Sequence, residues 1–347
     1  VGCIEILVVG AGPAGAIAAR GLALAGARVT MVDKARFPRR KVCGCCLNGN
    51  ALAALESVGL GDLPAKLGAV PLHSFVTASA GRIATVPLKG VSLSRDAMDV
   101  ELIEEAVKAG VDFKEGVTHS LQTGGTASPC STITVFANGL NGVPSTASET
   151  SRLGAGTILD DAPAFYEPGR IYMAVGKGGY VGLVRLEDGR LDVAAAFDPG
   201  FVKTCGGLAE AAERVIEEAG FPASFSREPT ASAAAWKGTP SLTRTPTRIA
   251  GPGWFAVGDA AGYVEPFTGE GMAWAISGAA AAVPFILRND PDGWTREHRR
   301  IIGRRQRTCR GLARLLRSPG IYNWVVRGLN RFPSLARPVV RALNQPS

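Results

Sequence analysis

Three glycines in the run Gly10-Ala11-Gly12-Pro13-Ala14-Gly15 follow a short apolar stretch and open a segment of helical spacing. In that setting a G-x-G-x-x-G run permits a tight turn, brings backbone amides up to a pyrophosphate and lets the helix pack closely on the strand. The helix N-terminus adds attraction for the phosphate charge. Asp33 stands 18 residues beyond Gly15, where a carboxylate can accept the hydrogen bonds of an adenosine ribose. Gly10, Gly12, Ala14, Gly15 and Asp33 are therefore candidate dinucleotide-binding residues. A second reactive group is the crowd of thiols Cys43, Cys45 and Cys46, just after Arg39, Arg40 and Lys41. Cys45 and Cys46 read as small packing residues; if either is exposed beside those cations, its thiolate is favoured.

A second motif decides which dinucleotide is expected. It is Trp254-Phe255-Ala256-Val257-Gly258-Asp259-Ala260-Ala261-Gly262, followed by Pro266 and Thr268-Gly269-Glu270-Gly271. Together with the first motif and with Leu93-Ser94-Arg95, it resembles a superfamily of flavoproteins that includes geranylgeranyl reductases, aromatic hydroxylases and flavin-dependent halogenases. The correspondences span roughly residues 1 to 290. The resemblance implies FAD as the cofactor, Asp259 bonded to its ribityl and pyrophosphate region, and Arg95 as a cation beside it. Gly269 and Gly271 open a helix near Met272, and amides of a helix N-terminus aimed at the flavin would stabilise the anionic reduced ring.

The segment Phe37-Pro38-Arg39-Arg40-Lys41-Val42-Cys43-Gly44 resembles the reductase branch, which implies that Cys43 and Gly44 line the flavin. Gly262, where the hydroxylases commonly show histidine, points the same way. The reductases' tyrosine-x-tryptophan-x-phenylalanine-proline signature is not kept: the matching stretch, Tyr180-Val181-Gly182-Leu183-Val184-Arg185, retains Tyr180 alone. The hydroxylases' aspartate-glycine element is replaced by Asn138-Gly139, and no two of the five tryptophans have the halogenase spacing. The expected activity is reduction of an alkene in a lipophilic small molecule by reduced flavin N5, with Cys43 and Tyr180 as catalytic candidates and Tyr172 as a further hydrogen-bond donor. The alternatives are hydroxylation of an aromatic or polyketide-type substrate through a C4a-hydroperoxide, then halogenation, and outside catalysis a flavin-binding sensor. No second fingerprint follows a strand, so reducing equivalents are expected from transiently docked NAD(P)H or from a separate electron-donor protein.

Elements that would position these residues can be read from periodicity. Ile4 to Val9 is a buried strand, Pro13 to Ala25 a helix and Arg28 to Val32 a second strand, a βαβ unit. Asn48 to Val58 and Ala97 to Ala109 read as helices, the latter with Glu101, Glu104, Glu105 and Lys108 on its wet side. Thr123 to Thr150 reads as loops and a hairpin around one strand, Ile133 to Ala137. Ile171 to Val175, Tyr180 to Leu186 and Leu191 to Phe197 read as antiparallel strands, Leu208 to Ala219 as a helix, and Trp254 to Val257 as a returning parallel-type strand. The expected fold is α/β: a Rossmann-type, glutathione-reductase-like FAD-binding domain of residues 1–70, 95–157 and 245–290, an inserted mostly antiparallel β-sheet substrate domain of residues 71–94 and 158–244, and a basic helical C-terminal region, 291–347.

Composition bounds the rest. Of 347 residues 46% are hydrophobic and 20% charged, a globular balance, and the net charge of +8 gathers in the arginines from Arg296 to Arg341. Interleaved with Ile301, Ile302, Leu312, Leu315, Leu316, Trp324, Val325 and Val326, those arginines suit a helical cap over the active site. The competing reading is an amphipathic surface for peripheral membrane contact. Nucleic acid is not an expected partner, because no stacking platform accompanies the arginines. Seven cysteines and three scattered histidines give neither a disulfide framework nor zinc spacing, so no metal is expected. The apolar stretch Gly271 to Leu287 is too short for a membrane span and contains Pro284. With no leader pattern at the N-terminus, a cytoplasmic location is expected, with membrane contact on its inner face as the variant.

Overall fold

The computed structural model describes residues 4–119, 132–161, 163–223, 236–265, 269–315, 317 and 319–331. Its first layer is a six-stranded sheet in the order 250–251, 254–256, 133–136, 5–9, 28–33, 112–115. Every pairing is parallel except the short edge pair of 250–251 with 254–256. Val9 lies opposite both Val32 and Phe136, and Phe136 lies opposite Ala256. The chain therefore leaves these four strands at one level, at Gly10, Asp33, Ala137 and Val257, and the outer carboxyl ends of such a sheet are where ligands bind.

The helix Pro13–Leu24 covers the sheet, burying Ala14, Ala16, Ala18 and Ala19, small residues that let it lie close. The Ala-rich helix Gly271–Leu287 packs on it so tightly that a methyl at Gly21 would sit 2.9 Å from Val283. The stretch expected to be loops around one strand supplies Ile133–Phe136 as a central strand of the sheet, while residues 120–131 lie outside the described residues. Glu101, expected on the wet side of Arg95–Lys108, is buried and bonded at 2.6 Å to Lys66, which neutralises it.

The second layer is an eight-stranded sheet in the order 237–241, 153–159, 191–197, 179–185, 170–176, 70–79, 82–92, 46–48. It is antiparallel apart from the pairing of 170–176 with 70–79. Residues 153–157, assigned from the sequence to the first domain, belong here: Leu153–Leu159 pairs along its whole length with Leu191–Phe197. Gly154 and Gly156 in that strand serve close approach: a methyl at Gly154 would lie 2.7 Å from Thr239 Oγ1 and one at Gly156 3.0 Å from the Val193 carbonyl.

One face of this sheet, with Tyr172, Val181 and Val193, is covered by the helix Leu208–Ala219. The other face carries Met173, Val175, Tyr180 and Ala196 and meets Tyr322 and Val326 of the helix Pro319–Arg331. That helix is tied down by a 2.6 Å hydrogen bond between Tyr322 Oη and Thr77 Oγ1. The helix Pro291–His298 is core rather than appendage: Trp294 is fully buried and its indole N–H donates to the Ala256 carbonyl at 3.0 Å. Residues 332–347, together with Leu316, lie outside the described residues. Among the described residues no helix is long and apolar enough to cross a membrane.

Burial, helped by Arg299, holds the His298 imidazole at about 4, below its ordinary 6.5. Between those values the unfolded chain binds the proton and the folded one does not, so stability falls as pH is lowered through this window, by about 3 kcal/mol. Urea unfolding of wild type and His298→Phe at pH 7 and pH 4 measures it: wild type loses more stability than the variant by about that amount.

Candidate cofactor and active site

At the carboxyl edge of the parallel sheet the backbone itself is the first functional element. Gly10 has φ +106°, and a methyl there would meet the Ala137 carbonyl at 2.6 Å. A methyl at Gly15 would stand 1.8 Å from the Gly10 carbonyl oxygen, so the first helix touches the strand through backbone alone. Gly15 consequently acts by packing, while Gly10, Gly12 and Ala14 line an open cleft. Gly12 points outward, and the nearest atoms to a methyl there are guanidinium nitrogens of Arg39 at 3.5 Å and Arg95 at 3.7 Å. A helix N-terminus flanked by two arginines is an anion site.

Asp33 is buried at the end of its strand, where its carboxylate accepts from the amides of Ala11 at 2.8 Å and Ala35 at 2.9 Å, with Arg39 at 3.5 Å. It thus fixes the glycine turn and faces the cleft. Arg95 reaches the cleft from the start of its helix and is held by a two-pronged bond to buried Asp99, at 2.7 and 2.9 Å. Ser94 caps that helix through the Ala97 amide at 3.1 Å. Lys41 and Asp259 face each other electrostatically within the same recess. Burial, with Arg39 and Arg95, lowers the Lys41 ammonium, and burial raises the Asp259 carboxyl to about 6 against the pull of Lys41 and Arg95. Asn138 lines the cleft too, and its side-chain oxygen is buried with no hydrogen-bond partner among the described residues.

In the thiol loop the acidified sulfur is Cys43, while Cys45 is buried as a packing residue. A hydrogen bond from the Cys45 thiol holds Cys43 at about 5, aided by Arg95 and the Cys45 amide and opposed by burial. Cys45 is buried, with a left-handed backbone (φ 47°), and its thiol is pushed well up by the bond to Cys43 and by burial. Burial likewise pushes Cys46 up.

At the far wall Gly269, Gly271 and Met272 border the cleft where the helix Gly271–Leu287 begins; Pro266 and Thr268 lie outside the described residues. Between those glycines Glu270 is buried and accepts from Asn48 at 3.0 Å and Asn50 at 3.2 Å. Sequence reasoning missed these asparagines, although Asn48 also caps its own helix through the Ala51 amide. Overhead, two-residue periodicity separates the tyrosines. Tyr180 faces the cleft, bonded to Glu265 and 5.7 Å from the Arg152 guanidinium, and burial keeps its phenol well above the ordinary value, hence protonated. Tyr172 points to the opposite face, where its hydroxyl donates to Phe165 and accepts from Glu167, a structural role.

These walls enclose one cleft of about 1200 Å³, beyond the ~300–1000 Å³ usual for a single small ligand. Gly10, Gly12, Ala14, Asp33, Cys43, Gly44, Arg95, Tyr180, Asp259, Gly269, Gly271 and Met272 all line it. An elongated dianion fits: the bare helix end, where a methyl at Gly12 would face Arg39 and Arg95, suits a pyrophosphate.

Comparison with known proteins agrees with this geometry. Residues 3–126 match the model of an FAD binding domain. A menaquinone reductase of Mycobacterium tuberculosis is 51% identical over 57 residues, covering 16% of this chain and 14% of the relative. A digeranylgeranylglycerophospholipid reductase of Methanothermobacter thermautotrophicus is 33% identical over 118 residues, 31% of this chain and 28% of the relative. The matches therefore span well under half of either relative. Among solved structures, a flavoprotein/dehydrogenase from Cytophaga hutchinsonii superposes with a TM-score of 0.78 at 20% identity, over 99% of this chain and 93% of that one. Residues 3–126 thus match an FAD binding domain, and the chain as a whole shares its fold with that flavoprotein.

Gly12 separates binding from folding. A methyl there makes only ordinary contacts, yet projects where phosphate must approach. Gly12→Ala is expected to keep the thermal midpoint of the wild-type apoprotein while weakening FAD binding at least about tenfold, as read by quenching of flavin fluorescence.

Proposed function

We propose that the chain is an FAD-dependent reductase acting on an alkene of a lipophilic, isoprenoid-type molecule. The observation that carries this reading is the continuity of the cleft. It runs from the glycine turn and its cations beneath the apolar face of the second sheet, past Phe75, Val86 and Met173, to Ile321 and Leu329 on the helix Pro319–Arg331. One end suits a dinucleotide and the other a long apolar chain. Two relatives whose names describe reductases of a menaquinone and of a digeranylgeranyl lipid support the same substrate class.

FAD, when bound, supplies two-electron reduction. In this reading the glycine turn, Arg39 and Lys41 hold its pyrophosphate, Asp33 its ribose and Asp259 its ribityl region, in the manner of the Rossmann-type, glutathione-reductase-like folds. The N-terminus of Gly271–Leu287 places positive dipole against the ring. Tyr180, kept protonated by burial and Glu265, supplies the proton that completes reduction of the alkene, and the apolar roof excludes water. Electrons reach the cofactor from docked NAD(P)H or a separate reductase. Ile321, Trp324 and Val325 stand exposed at the apolar end, with Arg327 stacked 5.1 Å from the Trp324 ring. An apolar strip with arginine beside it suits contact with an anionic membrane surface that delivers such a substrate.

Single-turnover assays with chemically reduced, FAD-loaded protein and a polyprenyl quinone test this reading. Mass spectrometry is expected to show a product richer by two hydrogens in the absence of air. Tyr180→Phe is expected to slow its formation by ~10²-fold or more with FAD binding unchanged. A product gaining oxygen, and only in air, overturns the reductase reading in favour of hydroxylation.

A further inference from the structure

Cys43 packs against Cys45 and stands beside the Arg95 guanidinium, and both favour its thiolate. Cys45, two residues on, is 3% exposed, and its single S–H lies between the Cys43 sulfur and the carboxyl of Asp192. Asp192, from the strand Leu191–Phe197, is itself 3% exposed, and one of its carboxyl oxygens has no hydrogen-bond partner among the described residues. A side chamber of about 20 Å³, bordered by Cys43, Asp192, Thr157, Arg40, Lys41 and Lys237, lies against the pair, and that is room for one water. An exposed-side thiolate, a buried thiol within its reach and a buried carboxyl beside the second sulfur are the parts of a thiol–disulfide exchange centre. Nothing in the alkene chemistry uses Cys45 or Asp192. Cys45 also holds a backbone conformation that side chains rarely adopt, at a position where a glycine would cost less.

We propose that Cys43, Cys45 and Asp192 form a redox-active dithiol centre that exchanges electrons with small anionic disulfides entering past Arg40, Lys41 and Lys237. The Cys43 thiolate attacks one sulfur of the disulfide, a Cys43 S–S bond forms, and the first thiolate leaves. Cys43 is then neutral, so of the influences that push the Asp192 carboxyl up, burial first and the Cys43 charge second, the second is gone and the ionised form becomes more accessible. Asp192 takes the Cys45 proton, directly or through the chamber water. The Cys45 sulfur attacks Cys43, the mixed disulfide breaks, and the second thiolate leaves to be protonated by solvent. The net change is one external disulfide reduced to two thiols and one Cys43–Cys45 disulfide formed. The chain thereby holds a two-electron couple of its own at the wall of the cleft.

The full chain without FAD, incubated with oxidised glutathione and read by mass spectrometry, tests this whether or not the reductase reading holds. Wild type is expected to lose two hydrogens with Cys43 and Cys45 in one linked peptide, at an initial rate rising with pH to a plateau above a midpoint near pH 5. Cys45→Ser is expected to trap one glutathione on Cys43, and Cys43→Ser to leave Cys45 unmodified. Asp192→Asn is expected to form the mixed disulfide as fast as wild type but to resolve it at least about tenfold more slowly. Circular dichroism of each variant confirms its fold. A wild-type adduct that persists unresolved on Cys43, a link made by Cys46 instead, or resolution in Asp192→Asn at the wild-type rate overturns the proposal.

Discussion

Backbone-to-backbone contact between the first strand and the first helix is the constraint from which the site follows. With no side chain at Gly15, the helix Pro13–Leu24 descends until it meets the Gly10 carbonyl, and Gly10 in turn lies against Ala137. Any methyl at either position would push apart elements that several later features need together. The helix end would leave the plane of the strand termini, Asp33 would lose the Ala11 amide, and the chain at Ala137 and Asn138 would be pushed off Gly10. The alanines of the two packed helices extend the same closeness, which is why so much of this chain is glycine and alanine.

Charge is then placed where the backbone has made room. The cleft floor buries Asp33, Asp99 and Arg95 and recesses Lys41, Asp259 and the Cys43 thiolate, an arrangement costly in isolation and stable only because each charge meets another. Arg95 is central: one edge grips Asp99 and another meets Cys43, so one side chain connects the helix Arg95–Lys108 to the thiol loop. On the roof, Arg152 does comparable work, joining Asp198 at 3.2 Å and Glu265 at 3.3 Å, while Glu265 also receives Arg317 from the C-terminal region at 3.4 Å. The roof, the cofactor-facing loop and the C-terminal cap are therefore coupled through one buried carboxylate.

Much of this was legible in the sequence because local rules dominate there. The glycine turn, its strand and its helix are one supersecondary unit, and the strands 170–176, 179–185 and 191–197 alternate clearly enough to be read. What escaped reading depends on partners far along the chain. Residues 153–157 read as part of the first domain because their partners, the strands Leu191–Phe197 and Lys237–Ser241, lie far along the chain. Glu101 looks wet because Lys66 is thirty-five residues away. The low value of the Cys43 thiol was not legible, because besides the neighbouring Cys45 it depends on Arg95, fifty-two residues along the chain. The tyrosines could have been sorted: once Val175 is paired with Tyr180, parity alone places Tyr172 on the opposite face.

The central claim is that the cleft at the carboxyl ends of the parallel strands holds FAD. Titrating the purified apoprotein with FAD, while recording the flavin visible spectrum and fluorescence, tests it most directly. The account predicts saturation at one FAD per chain with a shifted, resolved flavin band, and a Gly12→Ala titration displaced to at least about tenfold weaker binding. A flavin that stays spectrally free at every protein concentration, or uptake equal in wild type and Gly12→Ala, would contradict it.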